Sequence, residues 1–269
     1  MLKDITLGQF FPGDTIVHRL DPRTKILMVI IYIVALFQAK WFVTYGILLV
    51  FLAIAVRFSK VGAKALMRGM KPVLFILIFT GVLNLFYNTA GTILWHWGIF
   101  TVTTGGIRVA FFMVIRIMML ISGTFLLTYT TSPILLTDGI ECLLGPLKKL
   151  RVPVHELAMM MSIALRFIPT LIEETDKIMS AQKARGADFD SGNLIDKAKA
   201  LIPLLVPLFV SAFRRADELA TAMECRCYHG GEGRTRLRQL VYTGKDWITL
   251  ISGLALLAVV CVLAYGFGL

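Results

Sequence analysis

Few residue patterns in this chain could carry chemistry, and most of them are incomplete. His155-Glu156-Leu-Ala-Met159 opens as a zinc-protease helix does. Met159 stands where the second histidine would be needed, one turn on, so the pair cannot hold a metal. Glu173-Glu174 could supply paired carboxylates to a membrane-embedded hydrolase, with His229 as the next histidine along the chain. The plainer reading of such a pair is a solvated charged face. No G-x-x-x-x-G-K-S/T sequence occurs, so any ATP hydrolysis that this protein serves belongs to another chain. Of the four cysteines, Cys142 and Cys261 are isolated, while Cys225 and Cys227 form a C-x-C pair that matches no usual zinc spacing.

The strongest pattern is a duplication. Asp176, Ala181 and Arg185 recur 41 positions later as Asp217, Ala222 and Arg226. Each arginine sits between small residues, Ala184-Arg185-Gly186 in the first copy and Cys225-Arg226-Cys227 in the second. Each copy closes a long helical stretch and is followed by a break. One arginine at a helix end is commonplace, because a cation suits the negative end of the helix dipole. Two in the same frame call for more. Small neighbours let another surface approach closely, and the guanidinium fork suits a carboxylate or carbonyl cluster. Matched knobs imply two similar sockets, which is docking rather than catalysis.

The elements that hold these ends are membrane helices. The 269 residues are 57% hydrophobic, and apolar runs long enough to cross a bilayer recur. The expected class is an all-α polytopic membrane protein with about five transmembrane helices and long cytoplasmic coupling helices. The expected spans are Ile26 to Ala39, Trp41 to Val56, Pro72 to Tyr87, Gly106 to Tyr129 and Trp247 to Leu263. The first is short, and Lys40 turns it into the second as a tight hairpin. Asn88 to Gly105 holds no Lys or Arg and reads as an external loop hugging the interface. Arg57 to Lys71 carries five basic residues and no acid, which makes it a cytoplasmic loop.

With the N-terminus inside, 25 of the 28 basic residues fall on the cytoplasmic side, as the positive-inside rule requires, and the C-terminus lies outside. The net charge of +11 is then a matter of membrane orientation, and nucleic acid is not an expected partner. Residues 1–15 lack a basic stretch leading into an apolar one, so no cleavable signal peptide is expected. The resulting division is 1–129 as a four-span membrane part, 130–245 as the coupling region and 246–269 as the last span.

Within 130–245, Ile134 to Leu150 reads as an amphipathic interfacial helix, although Gly145-Pro146 lies inside it. His155 to Lys183 contains Arg166 and ends in Glu173-Glu-Thr-Asp-Lys177, and Leu201 to Phe213 is short and holds Pro203 and Pro207. Neither offers about 20 uninterrupted apolar residues. Both read as helices with an apolar half against the membrane part and a charged half in the cytoplasm. Arg116 falls near mid-membrane, with no Asp or Glu between Pro22 and Thr137. It is either functional, as intramembrane charges usually are, or paired with backbone carbonyls or with a carboxylate such as Asp246 or Asp138.

Nearly the whole chain resembles the transmembrane component of energy-coupling factor transporters. The residues that carry the resemblance are Leu20-Asp-Pro-Arg-Thr-Lys25, Leu165-Arg-Phe-Ile-Pro-Thr170, Ala181-Gln-Lys-Ala-Arg-Gly-Ala-Asp188, Pro207 to Ala220 and Ala222-Met-Glu-Cys-Arg-Cys-Tyr228. The resemblance implies a multi-pass protein of the cell membrane whose two coupling helices end in arginine motifs seated on two ABC-type ATPase subunits. It also implies a small integral S component that captures a vitamin or metal ion. ATP and Mg would then be bound by the ATPases, with no cofactor on this chain. Ala184-Arg185-Gly186 fits the family motif. Cys225-Arg226-Cys227 departs from it, and Cys227 lacks the freedom of the glycine that ends the family's helix. The alternatives are a hydrolase using Glu173, Glu174 and His229, and a stand-alone secondary permease. The absence of acids across the first four spans argues against proton coupling in the latter.

Overall fold

The computed structural model describes residues 10–87, 91–97, 100–187, 189, 194–230 and 239–266. Its helices are α1 (Ile16–Arg19), α2 (Pro22–Gln38), α3 (Phe42–Ser59), α4 (Ala63–Tyr87), α5 (Thr104–Thr130), α6 (Pro133–Leu143), α7 (Val154–Ala184), α8 (Leu194–Glu224) and α9 (Gly244–Tyr265). A hairpin of β1 (Ile93–Trp97) and β2 (Phe100–Thr103) precedes α5, and a 3₁₀ turn spans Gly145–Leu150. The chain divides into two compact units, one of Gly8–Gly139 with Leu240–Leu269, the other of Ile140–Gln239.

The first unit packs α2, α3, α5 and α9 around one core. Tyr32, Ala35 and Leu36, with Ala39 just past the end, form the inward stripe of α2, at the spacing of one helix face. They meet Tyr45 and Leu48 of α3, Met119 of α5, and Leu256 and Val260 of α9. Gly123 of α5 makes room for Tyr32, since a Cβ there would lie 3.0 Å from the ring. An added Cβ at 123 therefore requires the Tyr32 ring to give way.

The Leu20-Asp-Pro-Arg-Thr-Lys25 segment is a knot tying helix ends together. Asp21 caps α2 by accepting the Arg23 amide at 2.8 Å, and its own amide donates to Asp246 Oδ1 at 2.8 Å. The other oxygen of Asp246 accepts from the Thr243 amide and hydroxyl, capping α9. The starts of α2 and α9 are therefore joined through one buried carboxylate. Lys25 Nζ donates to the carbonyls of His18 and Thr130 and to Thr131 Oγ1, placing a cation at the carbonyl end of α5. Arg23 donates to the Leu240 carbonyl and lies 4.0 Å from the Tyr242 ring centroid.

Among the described residues, five helices are long and apolar enough to cross a membrane: α3, Lys64–Tyr87 of α4, α5, α7 and α9. The number agrees with the sequence reading, but the membership does not. At 17 residues, α2 is about 26 Å long, short of a hydrocarbon core of about 30 Å. α7 qualifies despite Arg166, as the least apolar of the five.

Three further expectations are corrected. The basic loop 57–71 shrinks to residues 60–62, and Lys64, Arg68 and Lys71 lie on the first turns of α4, with Pro72 inside the helix rather than at its start. The external loop contains a β-hairpin, whose Ile-Leu-Trp-His-Trp and Phe-Thr-Val-Thr strands are rich in β-formers. The interfacial helix stops at Leu143, before Gly145-Pro146, and continues only as the 3₁₀ turn.

In the second unit, α7 and α8 are each 31 residues and about 46 Å long. They pack antiparallel. Gln182 Nε2 donates to the Pro203 carbonyl at 3.4 Å, while eight residues back on α7 Glu174 meets Ser211, eight residues further on α8. At the start of α7, His155 Nδ1 lies 3.1 Å from Glu141 Oε1 of α6.

Candidate functional site

Both arginine motifs end their helices in the same hydrogen-bonded form. At the end of α7, the Ala187 amide donates to the Gln182 carbonyl and the Gly186 amide to the Lys183 carbonyl, each at 3.0 Å. At the end of α8, the Tyr228 amide donates to the Met223 carbonyl at 3.1 Å and the Cys227 amide to the Glu224 carbonyl at 2.9 Å. These are the two bonds of a Schellman ending, at positions 41 apart. Arg185 and Arg226 are the capping residues, and both are exposed, as are Ala184, Gly186, Cys225 and Cys227.

The residue after each arginine takes the left-handed conformation that this ending requires. Gly186 has φ 89° and Cys227 has φ 55°. Cys227, although it lacks the freedom of glycine, thus takes the same ending. The backbone geometry is kept, and the cysteine bears the steric cost that glycine avoids. One matched pair escaped the sequence reading. Ser180 Oγ donates to the Asp176 carbonyl at 2.7 Å, and Thr221 Oγ1 donates to the Asp217 carbonyl at 2.9 Å. The signal was present as a small hydroxyl residue conserved across the internal repeat at the same offset.

The antiparallel register puts the two ends far apart. The pairings 182/203 and 174/211 set residue 200 opposite Arg185. Arg226 lies 26 residues from residue 200, about 39 Å along the axis of α8. Near the middle, Arg215 Nη2 donates to Glu174 Oε2 at 3.1 Å, joining two residues that are themselves 41 apart. The crossing is thus a contact between equivalent points of the repeat, made complementary by an exchange of Glu for Arg.

Gln182 has a second task that the sequence reading missed. Pro207 has no amide hydrogen to give the Pro203 carbonyl one turn back, so that acceptor would lack its helical donor. The Gln182 side chain, one residue before Lys183 in the first motif, supplies one. The spacing of the two prolines was the available signal.

Charge around the two ends is inverted. Exposed Lys177 and Lys183 flank the first, and exposed Glu218 and Glu224 occupy the equivalent positions of the second. Beyond each end the sequence changes sign again, with Asp188 and Asp190 after the first and Arg234, Arg236 and Arg238 after the second.

The hydrolase candidates are not assembled. Glu174 has both oxygens engaged, Oε1 by Ser211 Oγ and Oε2 by Arg215. Glu173 is exposed beside it. Glu224, the last helical residue before His229, is 13 residues along α8 from Ser211, about 20 Å.

Arg116 finds the carbonyl partner that was one of its expected alternatives. Its Nη2 donates to the Ala39 carbonyl at 3.2 Å and its Nε to Tyr45 Oη at 2.9 Å. Asp246, one of the carboxylates considered for it, is committed instead to the starts of α2 and α9.

The CbiQ family, described as cobalt transport protein, matches residues 13–237. Among curated relatives, the energy-coupling factor transporter transmembrane protein EcfT of Ruminiclostridium cellulolyticum is 55% identical over 254 residues, covering 94% of each chain. EcfT of Acidaminococcus fermentans is 55% identical over 266 residues, covering 99% of each. EcfT of Bacillus subtilis is 51% identical over 258 residues, covering 96% of this chain and 97% of the relative. With its multi-pass helical fold and paired helix ends, this chain belongs to the CbiQ family as a transmembrane component of an energy-coupling factor transporter.

Proposed function

We propose that the chain couples ATP hydrolysis by two ABC-type ATPase subunits to uptake of a vitamin or metal ion captured by a membrane S component. The observation that carries this reading is the pair of identical Schellman endings, each presenting an exposed arginine between small residues. Each arginine offers a planar fork of donors at a rigid helix end, suited to a carbonyl or carboxylate cluster in a groove. Because α7 and α8 are tied antiparallel through Glu174, Ser211, Arg215, Gln182 and Pro203, displacement of one end is passed to the other rather than lost in bending.

Two sockets about 39 Å apart along α8 fit two partners side by side. The inverted charges around the ends favour sockets of unlike rims. In this reading ATP and Mg sit on the ATPases, and the chain performs no chemistry of its own. The N-terminus and the ends of α7 and α8 face the cytoplasm and the C-terminus faces outside, in keeping with the distribution of Lys and Arg.

The test is co-purification and uptake with the double variant Arg185→Ala/Arg226→Ala. Loss of ATPase association and of uptake is expected, with Lys at both positions retaining more of each. A double alanine variant that co-purified with ATPases and transported normally would sink the docking assignment. Uptake by this chain alone in proteoliposomes without ATP would favour the permease instead.

A further inference from the structure

Under the span assignment read from the sequence, with Ile26 to Ala39 as the first span, three basic residues are left off the cytoplasmic side: Lys40, Arg108 and Arg116. They are scattered over 77 positions of sequence, yet all three line one cavity of about 370 Å³ in the first unit. The other described residues of its wall are Ala39, Tyr45, Val109, Phe112 and Met113. α5 supplies one face, since 108, 109, 112, 113 and 116 follow helical spacing. The turn between α2 and α3 supplies the other.

Among the described residues no carboxylate belongs to this wall. The two buried acids among the described residues of the unit, Asp21 and Asp246, cap the opposite ends of α2 and α9. Asp21 is 19 residues from Lys40, about 28 Å along the helix direction. Three cations around one hollow repel one another, and in membrane surroundings that arrangement is costly unless an anion completes it.

Protein groups satisfy only part of the set. Arg116 spends Nε and one Nη2 hydrogen on Tyr45 and Ala39. The Arg108 guanidinium lies 5.1 Å from the Trp41 ring centroid and 5.7 Å from that of Phe112, and Lys40 Nζ lies 4.6 Å from that of Tyr265. Ring faces stabilise a cation without using its N–H donors. Those donors remain for a ligand, and Lys40 and Arg108 are exposed at its mouth. The cavity volume is that of a small-molecule site.

We propose that this cavity binds an oxyanion of the phosphate class, held by Lys40, Arg108 and Arg116. Two sources share that chemistry, the headgroup of an anionic phospholipid and a free phosphate. The proposal does not depend on docking to ATPases.

The full chain, purified in a neutral detergent, is titrated with short-chain phosphatidylglycerol, phosphatidylcholine of the same chain length, and inorganic phosphate, with thermal unfolding as the readout. Phosphatidylglycerol is expected to raise the unfolding temperature saturably, and Lys40→Gln/Arg108→Gln to weaken its apparent affinity at least fivefold. These two are chosen because Arg116 also holds the α2 end. Lys60→Gln/Lys64→Gln removes the same charge elsewhere and is expected to leave the affinity unchanged. A response to phosphatidylglycerol alone assigns the lipid source. An equal, variant-sensitive response to inorganic phosphate assigns the free anion. The proposal is overturned if neither anion binds, if phosphatidylcholine binds as well as phosphatidylglycerol, or if the two double variants behave alike.

Discussion

Replacing Cys227 by glycine tests whether the second helix end is strained by its own sequence. Cys227 holds φ 55°, a conformation that costs a residue with a Cβ about 1–2 kcal/mol relative to the right-handed one. Glycine removes that cost but brings a more flexible unfolded chain, so about 1 kcal/mol of net gain is expected. At room temperature this is roughly a fivefold rise in the ratio of closed to frayed ends. The hydrogen bond that reports it is the Tyr228 amide to the Met223 carbonyl, 3.1 Å. Amide exchange at Tyr228 is therefore expected to slow about fivefold in Cys227→Gly. The matched control is Gly186→Cys at the first end, where an added Cβ meets no atom within 4 Å and φ is 89°. The penalty there is conformational alone, and exchange at Ala187 is expected to quicken by a similar factor. If Tyr228 exchanges as fast or faster in Cys227→Gly, the strain argument is wrong, and some contact of the cysteine sulfur holds the turn instead.

The inverted charges give a second test. Exchanging Lys177 and Lys183 with Glu218 and Glu224 is expected to reverse which ATPase chain cross-links to each end; unchanged cross-linking would remove charge as the determinant. Gln182→Leu deprives the exposed Pro203 carbonyl of its donor, so a loss of about 0.5 kcal/mol, the low end for a hydrogen bond, is expected in the stability of the α7–α8 pair. Unaltered exchange protection along α8 near Pro203 would contradict that role. His18 provides a pH dependence. Burial, with a smaller contribution from Lys25, holds it below its ordinary value of 6.5, against the raising effects of the Phe11 carbonyl and Asp14. The neutral ring suits its partners, with Nε2–H donating to the Phe11 carbonyl and Thr15 Oγ1 donating to Nδ1. A depressed pKa contributes stability that is complete above the unfolded value and lost as pH falls through the folded one. Proteolysis between residues 11 and 18 is expected to quicken from pH 7.5 to 5, and His18→Asn to abolish that change; a flat profile for the unaltered chain would refute it.

Much of the helix plan was legible because its signals are local. Lys40 between two apolar runs marks the α2–α3 turn, and the twin motifs mark the ends of α7 and α8. Prolines misled for the same local reason. Pro72 reads as a helix start, yet α4 runs through it; Pro203 and Pro207 count against an uninterrupted apolar run, yet α8 carries both in its interior, where a neighbouring helix offers the Pro203 carbonyl a donor. That donor, Gln182, is 21 residues away in sequence, beyond any windowed pattern. Arg116 shows the same limit. Its mid-membrane charge was evident, but the choice between carbonyl and carboxylate depended on where Asp246 was already spent. The β-hairpin before α5 was overlooked because uncharged, aromatic residues between two spans also describe an interfacial loop.

The antiparallel register of α7 and α8 turns residue count into a ruler. Each residue gained or lost between the crossing and either arginine moves that arginine about 1.5 Å along the axis and swings it about 100° around it. A single-residue deletion in the second half of α8 would therefore aim Arg226 away from its former face, while a seven-residue insertion would lengthen the span by about 10 Å and restore the face to within about 20°. Natural length variation in these two helices should accordingly come in steps of about seven or in compensated pairs, with single-residue changes confined to the segment that joins them.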